Sequence, residues 1–248
     1  MGADLSGRVG IVTGTSSGLG LAIANVLAES GATVIGLSRT GRVKAGEPAS
    51  HANVRQVKVD LTDYSALPGV VADAAEGGKL DFLVNNAGST VKKRAEEFVD
   101  SDFDMILDVN VKSVFKMSVC AYPYLKKSEH TGRIVSISSM AAHLGFSEVV
   151  PYCISKSAVL GITRGLAVEW ANDNITVNSI APGWFPSNMT KQVMSEERKA
   201  KILSRMPVHR FGNNADIGAM AAYLLSDAAV YITGQDFAVD GGALAFGF

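Results

Sequence analysis

Tyr152 and Lys156 stand four residues apart just behind Pro151, in the stretch PYCISKS. Proline is tolerated in the first turn of a helix, so PYCISKSAVLGITRGLAVEWA reads as one helix that carries both side chains on one face. A phenol titrates near ~10 and carries protons poorly at neutral pH, but an ammonium one helical turn away lowers that value. The pair is therefore one way to build a general acid/base. The same pairing occurs on many ordinary helix surfaces, so the rest of the chain has to decide between the two readings.

A second constellation lies near the N-terminus. The β-type run RVGIVTG passes through TSSGLG into LAIANVLAESG, whose apolar residues recur at helical spacing until Gly31 can cap the end. Strand, glycine turn and helix in that order suit a dinucleotide. Gly14, Gly18 and Gly20 let the backbone approach a pyrophosphate, while the free N–H groups and the dipole of the helix N-terminus stabilise its charge. Glycine also serves ordinary tight turns; the position between a first strand and a helix is what favours the phosphate reading. About 20 residues further on, where NAD-binding folds place a carboxylate for the ribose, the second apolar run ends in Leu37, Ser38 and Arg39. An arginine there pairs with a 2′-phosphate, and Arg42 and Lys44 add positive charge, so NADP(H) is favoured. NAD(H) stays open as the alternative if these charges are only a solvated loop.

The elements that must bring these two ends together are legible as alternation. RVGIVTG, ATVIGLS, VRQVKVD, DFLVNNAG, GRIVSISS, ITVNSIAPG and DFAVDGG lie between helical stretches, which predicts an α/β fold with a parallel sheet and helices on both faces. Near-continuous Val/Ile runs suit strands covered on both sides. No linker, repeat or low-complexity segment divides the chain, so residues 1–248 read as a single domain. Between Arg39 and Val57 helical periodicity fails, and the second crossover is expected to be short or irregular.

Composition bounds the partners. With 47% hydrophobic and 19% charged residues the chain is too apolar for disorder, and its 248 residues suit either a large core or one that leaves apolar surface for an oligomer. A net charge of -1 without a long basic run offers no pull toward nucleic acid or an anionic membrane, so neither is expected as a partner. Cys120 and Cys153 lack metal-type spacing, which predicts no metal site and suits a reducing, cytoplasmic setting. No apolar run reaches the ~18 residues of a membrane span.

Taken together, TGTSSGLG, NNAG at 85–88, the serine pair at 138 and 139, and YCISK resemble the short-chain dehydrogenase/reductase family, in family order and spacing from Gly7 to Gly242. The resemblance implies a Rossmann-type, doubly wound, seven-stranded parallel sheet and an oxidoreductase that interconverts a secondary alcohol and a ketone. It implies Tyr152 as catalytic acid/base and Lys156 as the group that lowers its pKa and holds the nicotinamide ribose. It implies Ser139 as the donor to the substrate oxygen, with Ser138 the less favoured choice. Asn110, in DVNVKSVF, matches the asparagine whose backbone carbonyl holds a water beside the lysine, in a helix that opens locally. For the coenzyme the resemblance implies Gly14, Ser17, Gly18, Leu19 and Gly20 at the turn, Ser38 and Arg39 at the ribose, and Asp60 with Leu61 at the adenine. It adds Asn86, Ala87 and Gly88 along the groove, Tyr152 and Lys156 themselves, and Pro182, Gly183 and Ser187 in the PG loop, Ser187 standing where a threonine is usual.

Local residues bear on the substrate. Lys92, Lys93 and Arg94 follow NNAG, and His143, Ser147 and Glu148 lie between Ser139 and Tyr152, a polar lining that suits a small polyol, sugar or sugar acid whose carboxylate meets a basic side chain. Solvated loop charges would read the same way. NVKSVF, GITRGLAVEWA and PGWFPSNMT are similar to the sugar-acid branch of the family, that of gluconate and ketodeoxygluconate dehydrogenases. The alternative is a 3-oxoacyl-[acyl-carrier-protein] reductase, which must dock an acidic carrier; Glu129 and Asp173 disfavour it, while Lys126, Lys127 and Arg133 keep it open. A different class, a non-catalytic NADP-sensing protein, often lacks the tyrosine or lysine, and both are present. SVFKMSVCAYPYL and AVLGITRGLAVEW are more apolar than one buried face requires, and the resemblance implies that these helices pair across subunits of a homotetramer. Residues 188–207 are expected to form a substrate lid.

Overall fold

The β-type runs fold as seven strands in a computed structural model of the chain, which describes residues 3–76, 78–186 and 196–246. They are β1 (Val9–Thr13), β2 (Thr33–Ser38), β3 (Val54–Lys58), β4 (Phe82–Asn85), β5 (Gly132–Ile137), β6 (Ile175–Pro182) and β7 (Asp236–Val239). Every pair is parallel and the sheet order is β3-β2-β1-β4-β5-β6-β7. The helices are α1 (Gly18–Glu29), α2 (Leu67–Ala74), α3 (Asp100–Leu107), α4 (Ser113–Leu125), α5 (Val150–Trp170), α6 (Glu196–Ser204) and α7 (Asn214–Leu225). This is the doubly wound arrangement expected from the alternation of runs.

Successive side chains of a strand point to opposite faces, and here both faces are apolar, which is why the runs show no polar alternation. Val12, Phe82, Val84 and Val135 pack on one side against Ile23 and Leu27 of α1 and Ile217 and Ala221 of α7. Ile11, Leu83 and Ile134 pack on the other against Leu67 of α2, Met117 and Ala121 of α4, and Leu166 and Trp170 of α5. Pro151 lies in the first turn of α5, where its missing N–H removes nothing.

Two irregularities matter for the site. Residues 39–53 join β2 to β3 through turns with no helix, as the loss of periodicity predicted. Between α3 and α4 the backbone widens into a π-helical turn, Asp108–Lys112, with Asn110 fully buried in it. The sheet order reverses between β1 and β4, so the carboxyl ends of these strands open a crevice of the kind in which doubly wound folds bind ligands. Among the described residues no helix is long and apolar enough to cross a membrane.

Candidate active site

The floor of the crevice is the glycine turn. Gly14 and Gly18 have positive φ (78° and 59°), a region open to glycine at little cost. A Cβ on Gly14 would lie 2.8 Å from Asn86 Nδ2, and one on Gly20 would overlap both Asn86 Nδ2 and the Gly14 carbonyl. Asn86 is drawn in from β4 because its side chain donates to Thr13 O (2.9 Å), while Thr13 Oγ1 accepts the N–H groups of Asn86 and Ala87 (2.9 and 3.0 Å). Ser17 precedes α1 without capping it by its side chain, and Leu19 packs into the core beneath the turn. Pro182 ends β6, and the Gly183 N–H donates to Val239 O (3.0 Å), which fixes the start of the PG loop to the end of β7. Ser187 lies outside the described residues, as does the first part of the expected lid.

The turn already binds an anion from its own chain: the Gly18 N–H donates to Glu47 Oε2 at 3.2 Å. Glu47 comes from the helix-free β2–β3 connection, and the Lys44 N–H, donating to Ser16 O (2.9 Å), holds that connection against the turn. An acid-binding N-terminus with a glycine floor fits a pyrophosphate. At the other end, β2 finishes in buried Ser38 and exposed Arg39. Asp60 is exposed too; the N–H and hydroxyl of Thr62 and, more weakly, the Arg39 charge hold its carboxyl below the ordinary range. Leu61 turns into the core.

At the reacting end the structure brings Asn110, Ser139, Tyr152 and Lys156 together. Ser139 hydrogen-bonds the Tyr152 phenol. Lys156 Nζ donates to Ile137 O (2.7 Å), at the end of the strand that leads into Ser139, and lies 5.7 Å from the Tyr152 ring centroid. Asn110 Oδ1 accepts the Ser89 N–H (2.8 Å), and its Nδ2 donates to Ser89 O and to Ser155 Oγ (both 2.9 Å). Ser155 Oγ in turn donates to Tyr152 O (2.7 Å), so the π turn is tied to the first turn of α5. Gly88 stays open beside this group, its Cβ position 3.6 Å from Lys156 Nζ. Ser138, the less favoured serine, points inward to Ile180 O and Asp236.

Electrostatics depart from the sequence reading in one respect. The expectation was a tyrosine made more acidic by its neighbouring ammonium, yet burial pushes the Tyr152 phenol above its ordinary value, and the Ser139 hydrogen bond offsets this only in part. Lys156 is itself buried, which lowers it to about 8, and its ammonium is spent on a carbonyl. Desolvation is the largest cause at both groups.

The basic residues at the mouth are all partnered. Lys92 pairs with Glu148 (3.0 Å), Lys93 with Asp102 (2.5 Å) and Arg94 with Glu96 (2.5 Å). Only the first of these pairs joins the loop after β4 to the segment between Ser139 and Tyr152, the two walls of the crevice. Glu148 has a positive φ of 68°, and the Lys93 N–H donates to its carbonyl (2.9 Å). Sequence reasoning missed Glu47, whose only signal is an acid in a loop beside the glycine turn, and Asp236, an acid opening an apolar strand. Among the described residues no group of His, Cys, Asp or Glu could hold a metal ion.

A seven-stranded parallel sheet with a glycine-floored crevice and a Ser–Tyr–Lys–Asn cluster at its open end defines a nucleotide-dependent oxidoreductase. Residues 14–243 match the family described as Enoyl-(Acyl carrier protein) reductase, and the chain belongs to the short-chain dehydrogenase/reductase family, acting on a CH–OH group with NAD(P). It is 40% identical over 246 residues, 98% of this chain and 97% of the relative, to 2-dehydro-3-deoxy-D-gluconate 5-dehydrogenase of Dickeya dadantii. It is 35% identical, over 96% of this chain and 98% of the relative, to the 3-oxoacyl-[acyl-carrier-protein] reductase of Escherichia coli. Among solved structures, one from Beutenbergia cavernae assigned as an NAD(P)-dependent gluconate 5-dehydrogenase, with NADP bound at low occupancy, superposes with a TM-score of 0.89 at 38% identity and covers 98% of both chains.

Proposed function

We propose that this chain interconverts a secondary alcohol and a ketone on a small sugar acid, with NADP(H) as coenzyme. The observation that carries the reading is the convergence of Ser139, Tyr152, Lys156 and Asn110 at the open end of a crevice whose far end carries Arg39 and no acid at the second strand's terminus. The sugar-acid relative is 40% identical against 35% for the acyl-carrier-protein reductase at similar coverage, which supports the substrate class.

The glycine turn would hold the pyrophosphate, Arg39 with Ser38 the 2′-phosphoribose, Asp60 and Leu61 the adenine side, and Asn86, Ala87, Gly88, Pro182, Gly183 and Ser187 the nicotinamide half. Bound there, the nicotinamide supplies the hydride equivalent. The protein's share is orientation and a proton. Ser139 and Tyr152 place two hydroxyls on one substrate oxygen, and Tyr152 gives that oxygen its proton in reduction and takes it back in oxidation. Lys156, held to the β5 terminus, would bear on the phenol and the ribose, and the π turn at Asn110 would offer a backbone carbonyl to a water beside it. Lys92 is the basic residue best placed for a substrate carboxylate, since its present partner stands on the opposite wall.

The carrier-protein alternative loses support on geometry. Arg133 is 1% exposed, Lys126 is engaged by Asp173 (2.6 Å), and Glu129 by Lys79 (3.3 Å). Of the three basic residues that kept this alternative open, Arg133 is thus withdrawn from the surface and Lys126 is paired, while Lys127 stays exposed. A cytoplasmic homotetramer and a lid over 188–207 complete the reading. The test is turnover of a ketogluconate against an acetoacetyl thioester with NADPH, in wild type and Tyr152→Phe. The expected result is a preference for the sugar acid and a loss of about 10²- to 10⁴-fold in the variant with coenzyme binding retained. Preference for the thioester rejects the substrate, and near-normal turnover in the variant rejects the acid/base.

A further inference from the structure

One carboxylate holds both ends of the segment that carries Ser139. Asp236 opens β7, and its Oδ1 accepts the hydroxyls of Ser138 (2.7 Å) and Ser179 (2.6 Å), while its Oδ2 lies 2.6 Å from His143 Nε2. Ser138 immediately precedes Ser139. His143 closes the single 3-10 turn Met140–Ala142, which Ser139 caps by accepting the Ala141 N–H (3.1 Å). The serine that faces Tyr152 therefore sits between two residues fixed to the same carboxylate on a different strand. Ser138 and Ser179 are buried and Asp236 is nearly so, its side chain 13% exposed, so these hydrogen bonds form away from competing water. Both serines bond the carboxylate and not the imidazole, so this is no Ser–His–Asp nucleophile.

We propose that Asp236 is a positioning residue for the reaction: through Ser138 and His143 it sets where the Ser139 hydroxyl stands relative to Tyr152, without itself touching the reacting atoms. The inference rests on the role given to Ser139 above. A hydroxyl displaced by a fraction of an ångström still allows substrate and coenzyme to bind, but it no longer meets the developing charge on the substrate oxygen. The signature is accordingly a fall in kcat with coenzyme affinity unchanged. Asparagine keeps an acceptor for the two hydroxyls and an amide for the imidazole, so it should rescue in part, which a purely structural role in β7 does not require.

The experiment is a double-mutant cycle between Asp236 and Ser139, read as kcat, as NADPH affinity by fluorescence titration, and as melting temperature. Asp236→Ala is expected to lower kcat about tenfold to a hundredfold, the scale of a small misplacement, with NADPH affinity within about twofold of wild type. Asp236→Asn should lose less. In the Ser139→Ala background Asp236→Ala should cause no further loss. Equal losses in both backgrounds, or unchanged kcat in Asp236→Ala, overturn the inference while leaving Ser139 in its role. Unchanged kcat in Ser139→Ala alone overturns the role of Ser139 and this inference with it. His143 is 37% exposed in its side chain and outside the strands, and His143→Ala carries the same cycle if Asp236→Ala does not fold.

Discussion

The Tyr152–Lys156 pair is set by two opposing electrostatic effects. Spacing on a helix makes a lysine one turn from a tyrosine look like an acidifying neighbour, but spacing carries no information about burial. In the folded chain burial raises the phenol and lowers the ammonium, the latter to about 8. The lysine shift has a consequence for stability. Between about 8 and the ordinary 10.5 the unfolded chain holds the Lys156 proton and the folded chain has released it. Unfolding then takes up a proton, so this group's contribution to stability rises with pH across that window, and its burial cost is carried in full below it. Relative to Lys156→Met, the coenzyme-free wild type should gain melting temperature as pH is raised from about 8 toward 10. The scan stops there, because the raised phenol of Tyr152 acts in the opposite direction at higher pH. A gap between the two proteins that stays constant over the window contradicts a buried, neutralisable lysine.

Among the elements, the helix-free connection of residues 39–53 does what a regular crossover could not. A helix would lie against the sheet; this segment instead folds back over the glycine turn and delivers Glu47 to the Gly18 N–H. The carboxylate stands where helix dipole and free N–H groups favour a phosphate, so the two anions compete. Glu47→Ala should bind NADPH about twofold to tenfold more tightly, the range expected from one anion at a helix N-terminus. The measurement is a fluorescence titration, repeated with inorganic pyrophosphate as competitor; weaker binding in the variant would make Glu47 a ligand of the coenzyme instead of its rival. The π-helical turn at Asp108–Lys112 is the other element with a local cause. The Tyr64 hydroxyl donates to Asp108 O and Oδ1 (3.2 and 3.0 Å), Ser113 Oγ donates to Val109 O (2.6 Å), and the Asn110 side chain bonds Ser89 and Ser155. Side chains thus add hydrogen bonds at the turn, where the Ser113 N–H reaches back five residues to Asp108 O.

For the whole molecule, the surfaces left open by the fold bear on assembly. Phe115 and Val119 share an exposed face of α4, and Ile154 and Val168 stand out from α5, Val168 at 81% exposure. Gly161 and Gly165 on α5 have open space where a Cβ would be, so a second helix can approach closely there. These faces suit the four-helix contact of the proposed homotetramer. Phe115→Glu places a charge in that contact and should shift the sedimentation profile toward smaller species, with the isolated fold intact by circular dichroism. An unchanged profile would place the interface elsewhere.

What the sequence determined by itself is local or periodic. The seven strands follow from β-type apolar runs, both-faced burial from the absence of polar alternation, the glycine turn from glycines between a strand and a helix, and Tyr152 with Lys156 from one helical turn. Arg39 at the end of β2 is equally legible, because the strand end is. The tertiary structure alone decided which side chains from distant elements share a site. Asp236 on β7 meets Ser138 and His143 because β5, β6 and β7 are neighbours in the sheet, and Glu47 meets Gly18 because a connection without a helix turns back. Burial belongs to the same category: it moved the Tyr152 and Lys156 values in directions that spacing could not foretell, since desolvation depends on everything packed around a group and not on its neighbours in the chain.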